Sequence, residues 1–157
     1  ICCRPSPRRS SRPTAAEVFS PVGEISYQLL EPADSGLLCL GIERVYADSY
    51  PIPEFYDASW LANAIARGLL HSVVARNAAG EVVGCMSTVL EVAGDHTADG
   101  SALMICPEYR GRGIVAQLGH HSVAVYQRLG IHGLHLYALA LHDLVQNQSG
   151  RAGARVP

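Results

Sequence analysis

The chain has 157 residues and a formal net charge of -2; 48% of the residues are hydrophobic and 17% charged. That is the balance of one domain with one core, and no overall field draws it to nucleic acid. The five cysteines, Cys2, Cys3, Cys39, Cys85 and Cys106, are odd in number and form no Cys-x-x-Cys pair, which argues against a disulfide framework and for a reducing, cytoplasmic compartment.

Residues 1–22 open the chain with Arg4, Arg8, Arg9 and Arg12 set among Pro5, Pro7 and Pro13. Such a segment buries too little apolar surface to offset its ordering entropy, so it reads as a disordered basic tail. The competing reading is an arm for nucleic acid or acidic lipid, a weak and salt-sensitive contact with only four arginines. All 12 positive charges of the chain are arginine. The first residue is isoleucine, which reads as a fragment, or less simply as a removed signal peptide. No apolar run approaches the ~20 residues of a membrane span.

Residues 23–157 carry the globular pattern. EISYQLLE alternates as a first strand. SGLLCLGIERVYADSY sets Leu38, Ile42 and Val45 at helical spacing, with Asp34 or Ser35 as N-cap. YPIPEFY is a loop, because two prolines break either ladder. DASWLANAIARG is a short helix with Asp57 as N-cap and Gly68 as stop. LLHSVVAR and EVVGCMSTVLEV are strands joined through NAAG as a hairpin. GDHTADG is a polar turn, and SALMIC the next strand. GIVAQLGHHSVAVYQRLG is a helix with Ile114, Leu118, Val125 and Leu129 on one stripe, ended by Gly130. GLHLYALAL is a last strand. The order gives a mixed α/β fold, a mostly antiparallel central sheet flanked by helices.

The stretch CPEYRGRGIVAQLGHH, Cys106 to His121, puts two glycines and two arginines where a strand turns into a helix. A helix N-terminus offers unpaired N–H groups and the positive end of the dipole. Gly111 and Gly113 leave that backbone bare, and Arg110 and Arg112 add mobile positive charge. The ligand that suits this is an anion, most simply phosphate or pyrophosphate; the bland reading is a helix that merely starts with glycines. A GxxxxGK[ST] loop is excluded by the lack of lysine. A dinucleotide fingerprint is excluded by the Pro-Glu-Tyr loop and by the lack of an acidic residue about 20 positions on.

With these residues in place, ICPEYRGRGIVAQL resembles the acyl-coenzyme A motif of the GNAT acetyltransferases, Arg/Gln-x-x-Gly-x-Gly/Ala. Arg110, Gly113 and Val115 stand at its signature positions, Val115 departing from the usual Gly/Ala. VARNAAGEVVGCMS is similar to the family's second hairpin, and the resemblance runs from Ile25 to Gln148. It implies that acetyl-CoA is the co-substrate. Its pyrophosphate would lie on the amides of Gly111, Arg112, Gly113, Ile114, Val115 and Ala116. Its pantetheine would pair like an extra strand along Leu103, Met104 and Ile105. The family's closing strands and its thiolate-protonating tyrosine have no counterpart after Tyr137, so the chain resembles a member cut short, final strands missing. His142 and Gln146 resemble those of a subgroup.

Acyl transfer to an amine needs the neutral amine, and a lysine-like amine costs about 4.6 kcal/mol to deprotonate at pH 7. A base is therefore valuable. His142 is the first candidate, since unperturbed histidine is half-ionised near pH ~6.5, and Glu91 the second; the plain alternatives are a surface histidine and a solvated turn residue. Glu108, in the phosphate-side turn, reads as a solvated or capping residue. YADSYPIPEFYDASW concentrates Tyr46, Tyr50, Phe55, Tyr56 and Trp60. Tyr50, Phe55 and Tyr56 either line the acceptor pocket or pack in the core under the loop. The histidine spacings match no metal site. The expected activity is N-acetyl transfer from acetyl-CoA to a primary amine on a small molecule or peptide, by a monomer or homodimer with no nucleic-acid or membrane partner. The rivals are a non-catalytic acyl-CoA-binding module, an inactive fragment of a larger acetyltransferase, and a basic-tailed nucleic-acid partner.

Overall fold

The expected order of elements holds across residues 24–136, the part of the chain that the structure, a computed structural model, describes. It runs β1 (Ser26–Leu29), α1 (Ser35–Tyr46), α2 (Ala58–Ala66), β2 (Leu70–Arg76), β3 (Val82–Val89), β4 (Thr97–Ile105), α3 (Ile114–Leu129) and β5 (Gly133–Leu136). The five strands form one sheet in sequence order; β4 and β5 run parallel and the other pairs antiparallel.

Strand alternation sends neighbouring side chains to opposite faces. Val74, Cys85 and Met104 go to the face covered by α1 and α2, where Leu38, Ile42, Phe55 and Leu61 are fully buried. Val73, Ala75 and Ile105 go to the other face, under α3, with Ile114, Leu118 and Val125. The β2–β3 turn is made by Asn77, whose side-chain oxygen accepts from the N–H groups of Ala79 and Glu81. Asp57 caps α2 as expected, accepting from the N–H groups of Ser59 and Trp60.

Four local expectations need correction. Neither Asp34 nor Ser35 caps α1: Asp34 pairs with Arg76 at 2.6 Å, and the Ser35 hydroxyl donates to the Pro32 carbonyl. YPIPEFY is not all irregular, because Pro53–Tyr56 forms a 3-10 turn, which a proline at its start favours. GDHTADG is not all turn: Thr97 to Gly100 is already strand, paired along its length with β5, and Asp99 and Gly100 pair with β3 as well. Ladder pairing overrides its polar composition, and Asp99 meets His135 across the pair at 3.4 Å. Leu129 leaves the buried stripe of α3 and is 39% exposed, while Ser122 lies on the buried side.

Candidate active site

The last β3–β4 ladder bond runs from the Cys106 N–H to the Val83 carbonyl at 2.9 Å. Pro107 then ends the ladder and Pro107–Tyr109 makes a 3-10 turn. Gly111 and Gly113 follow with φ of +74° and +75°, in the left-handed region that favours glycine. A Cβ on either would meet nothing within 4 Å. These glycines therefore serve conformation and open approach, not close packing.

Gly113 is the N-cap of α3 and provides no side-chain cap. The first helical bond runs from the Gln117 N–H to the Gly113 carbonyl at 3.2 Å. The N–H groups of Gly111, Gly113, Ile114, Val115 and Ala116 thus have no backbone partner among the described residues. Together with the positive end of the helix dipole they form an exposed anion cradle. Val115 is half-buried against the α3-side core, so its side chain packs beneath the turn while its N–H stays in the row.

The arginines are less mobile than expected. Arg110 Nε donates to the Ile105 carbonyl at 3.2 Å. Arg112 Nη2 donates to the Glu108 carbonyl at 2.9 Å and lies over the Tyr109 ring. Both fold back because the turn leaves unpaired carbonyls beside them. Glu108 neither caps nor stays solvated alone: its carboxylate takes the Arg44 guanidinium, which also stands 3.7 Å from Glu81. The Tyr109 hydroxyl accepts from Asn77 Nδ2 at 3.1 Å. The loop is thereby pinned to α1 and to the β2–β3 turn. Nothing in the linear sequence brings Arg44, Glu81 and Glu108 together.

The edge of β4 away from β3 is the second part of the site. Between the pairs Met86–Leu103 and Thr88–Gly100, β3 advances two residues and β4 three. β4 therefore carries a bulge at Ser101–Ala102. Because Cys106 bonds toward β3, alternation turns the carbonyls of Leu103 and Ile105 to the other edge. Each of these edge carbonyls is met by a side chain. Tyr50 donates its hydroxyl to Ser101 O at 2.7 Å, Tyr46 donates to Leu103 O at 3.4 Å, and Arg110 serves Ile105 O. Of the three residues expected to pair with a ligand, Met104 buries its side chain in the α1-side core, and Leu103 and Ile105 present the backbone.

Burial pushes the Tyr50 hydroxyl well above the usual tyrosine range and raises that of Tyr46, so both stay neutral donors. Burial also pushes the Cys106 thiol up and the Cys85 thiol up to about 12. Neither is a nucleophile at ordinary pH.

Tyr50 and Tyr56 line a groove of about 630 Å³ together with Glu43, Ala47, Asp48 and Pro53. The Tyr56 hydroxyl accepts from the Tyr50 N–H at 2.9 Å. Phe55 has no exposed surface and packs in the core, which is the alternative the sequence left open for it. Glu43 and Asp48 escaped the sequence reading; their signal is two acids interleaved with Tyr46 and Tyr50 in ERVYADSY. Glu91 is exposed and lies two residues past Val89, which pairs with Asp99. It stands in the bend after β3, past the last β3–β4 pair. It makes no side-chain hydrogen bond or ion pair among the described residues. His142 and Gln146 lie outside the described residues.

A model of the acetyltransferase (GNAT) family matches residues 39–145, more than half of the chain. Among solved structures, the chain is similar to an aminoglycoside acetyltransferase from an uncultured soil metagenomic sample, with TM-score 0.69, 14% identity, and coverage of 85% of this chain and 93% of that one. It is similar to a ribosomal-protein-alanine N-acetyltransferase from Brucella melitensis biovar Abortus 2308, with TM-score 0.64, 18% identity, and coverage of 85% and 93%. It is also similar to the PaiA N-acetyltransferase of Thermoplasma acidophilum in complex with coenzyme A, with TM-score 0.64, 19% identity, and coverage of 82% and 88%. At these identities the likeness speaks to the fold. No curated protein matches.

Proposed function

This chain belongs to the acetyltransferase (GNAT) family, and we propose that it moves an acetyl group from acetyl-coenzyme A to a primary amine. The observation that carries the choice of donor is the set of N–H groups of Gly111, Gly113, Ile114, Val115 and Ala116, which have no backbone partner among the described residues, at the open start of α3. That cradle suits the pyrophosphate of coenzyme A, and the N-acetyltransferase names of two structural neighbours support a nitrogen acceptor.

Acetyl-CoA supplies an activated thioester; the chain supplies binding and orientation. Leu103 and Ile105 offer carbonyls to the amides of the pantetheine arm, so the thioester end is carried along β4 toward the bulge at Ser101. The groove lined by Tyr50 and Tyr56 receives the amine, and Glu43 and Asp48 at its wall attract the cationic form. The amine reacts only after losing a proton, and His142 is the base in this reading. The leaving thiolate, with a pKa of ~8.5, needs less help. Glu91 is the second candidate for the base. No described helix is long and apolar enough to cross a membrane; the odd, unpaired cysteine usage supports a cytoplasmic setting, and a monomer or homodimer is part of the same proposal.

The test is thiol release from acetyl-CoA by the full chain against a panel of polyamines, amino acids, aminoglycosides and peptides with free N-termini. Release above hydrolysis with at least one amine is expected. Tight acetyl-CoA binding with no release against any amine would sink the transfer reading and leave a binding module.

A further inference from the structure

The donors along the β4 edge are unequal, and the inequality has a consequence. The Tyr46 hydroxyl reaches Leu103 O only at 3.4 Å, and the part-buried bond to Ile105 O, at 3.2 Å, comes from Arg110, a residue exposed overall. Tyr50 is 9% exposed and fixed at four points. Its hydroxyl holds Ser101 O at 2.7 Å, and its N–H is held by Tyr56. Its ring packs edge-on against the fully buried Phe55 at 5.4 Å and lies against Tyr46 at 5.0 Å. Beyond Ser101 the edge is already closed, because β5 pairs with Thr97 to Gly100.

An extended ligand adding to this edge replaces Tyr46 and Arg110 one for one at Leu103 and Ile105, leaving no carbonyl unmet. It gains nothing by displacing Tyr50, whose removal would break a buried hydrogen bond and open the aromatic cluster. We propose that Tyr50 is the end stop of the β4 edge and restricts the site to short acyl groups. The inference rests on the acyl-coenzyme A reading above. With the pyrophosphate at the start of α3, the ligand runs from Ile105 toward Ser101 and its acyl group arrives at the Tyr50 ring. A methyl or ethyl group ends there. A long chain meets the ring and, behind it, the paired strands.

The test is calorimetric titration of coenzyme A, acetyl-CoA, butyryl-CoA and octanoyl-CoA into the full chain and into Tyr50→Val. In the parent, octanoyl-CoA should bind at least about tenfold more weakly than acetyl-CoA, within the discrimination a packed apolar wall gives against extra methylenes. In Tyr50→Val the ratio should shrink severalfold. Equal binding of octanoyl- and acetyl-CoA by the parent overturns the stop while leaving the cofactor reading intact. So does an unchanged ratio in a folded Tyr50→Val. If that variant does not fold, Tyr50→Leu, which keeps more apolar volume, carries the same comparison. Failure of every ligand, coenzyme A included, to bind a folded parent overturns the cofactor reading itself.

Discussion

Gly113 separates backbone strain from electrostatics in the proposed pyrophosphate cradle. It sits at φ +75° with open space around its missing Cβ. Gly113→Ala therefore adds no clash and costs only the left-handed strain, about 1 kcal/mol. For a domain of this size that lowers Tm by about 2–4 °C. Gly113→Glu adds the same strain and places a carboxylate beside the free N–H groups of Ile114, Val115 and Ala116. At ~5 Å and an effective dielectric of ~20, each phosphate charge is repelled by about 3 kcal/mol. That corresponds to at least about a 100-fold loss of affinity. Calorimetric titration of coenzyme A, with thermal melts on the same samples, measures both effects. The expected result is similar Tm for the two variants, near-parental affinity for Gly113→Ala and near-complete loss for Gly113→Glu. Binding by Gly113→Glu within about threefold of the parent would refute the placement of the anion. Equal loss in both variants would show that loop geometry, not charge, governs binding.

Asp57→Ala removes the acceptor for the Ser59 and Trp60 N–H groups and should cost about 1 kcal/mol in chemical denaturation; an unchanged midpoint would mean that the cap contributes nothing. The Ser101 hydroxyl is buried without a hydrogen-bond partner among the described residues. Ser101→Ala should leave the protein as stable or stabilise it by about 1 kcal/mol, and a clear loss would reveal a partner for that oxygen. The alkaline limb has a fixed sign. The folded pKa of Cys85 is raised by burial from 9.0 to about 12, and that of Tyr50 is raised above 10.0. Their contribution to stability is complete below pH 9 and falls as pH rises toward 12, because the unfolded chain ionises first. Tm measured from pH 8 to 12 should therefore fall across that window, and Cys85→Ala should flatten its lower part; a flat profile in the parent would contradict the burial.

What the sequence determined by itself was local. Period-two and helical patterns marked the described strands and helices, Asp57 and Gly130 marked helix ends, and the Arg-Gly-Arg-Gly turn marked the proposed anion cradle. These features arise within a few residues of one another, so neighbouring side chains and the backbone are enough to specify them. Tertiary structure decided what depends on distant residues. Thr97 to Gly100 became strand because β5 pairs with all of it and β3 with Asp99 and Gly100. The arginines of the turn folded onto carbonyls left over by the end of the ladder. Glu108 found Arg44 on α1, and the bulge turned Ser101 toward Tyr50. The aromatic loop was visible in the sequence, but only packing separated Phe55, buried under α1, from Tyr50 and Tyr56, which face the groove. Each of these outcomes depends on pairing or packing across the fold, and that information is absent from any one segment.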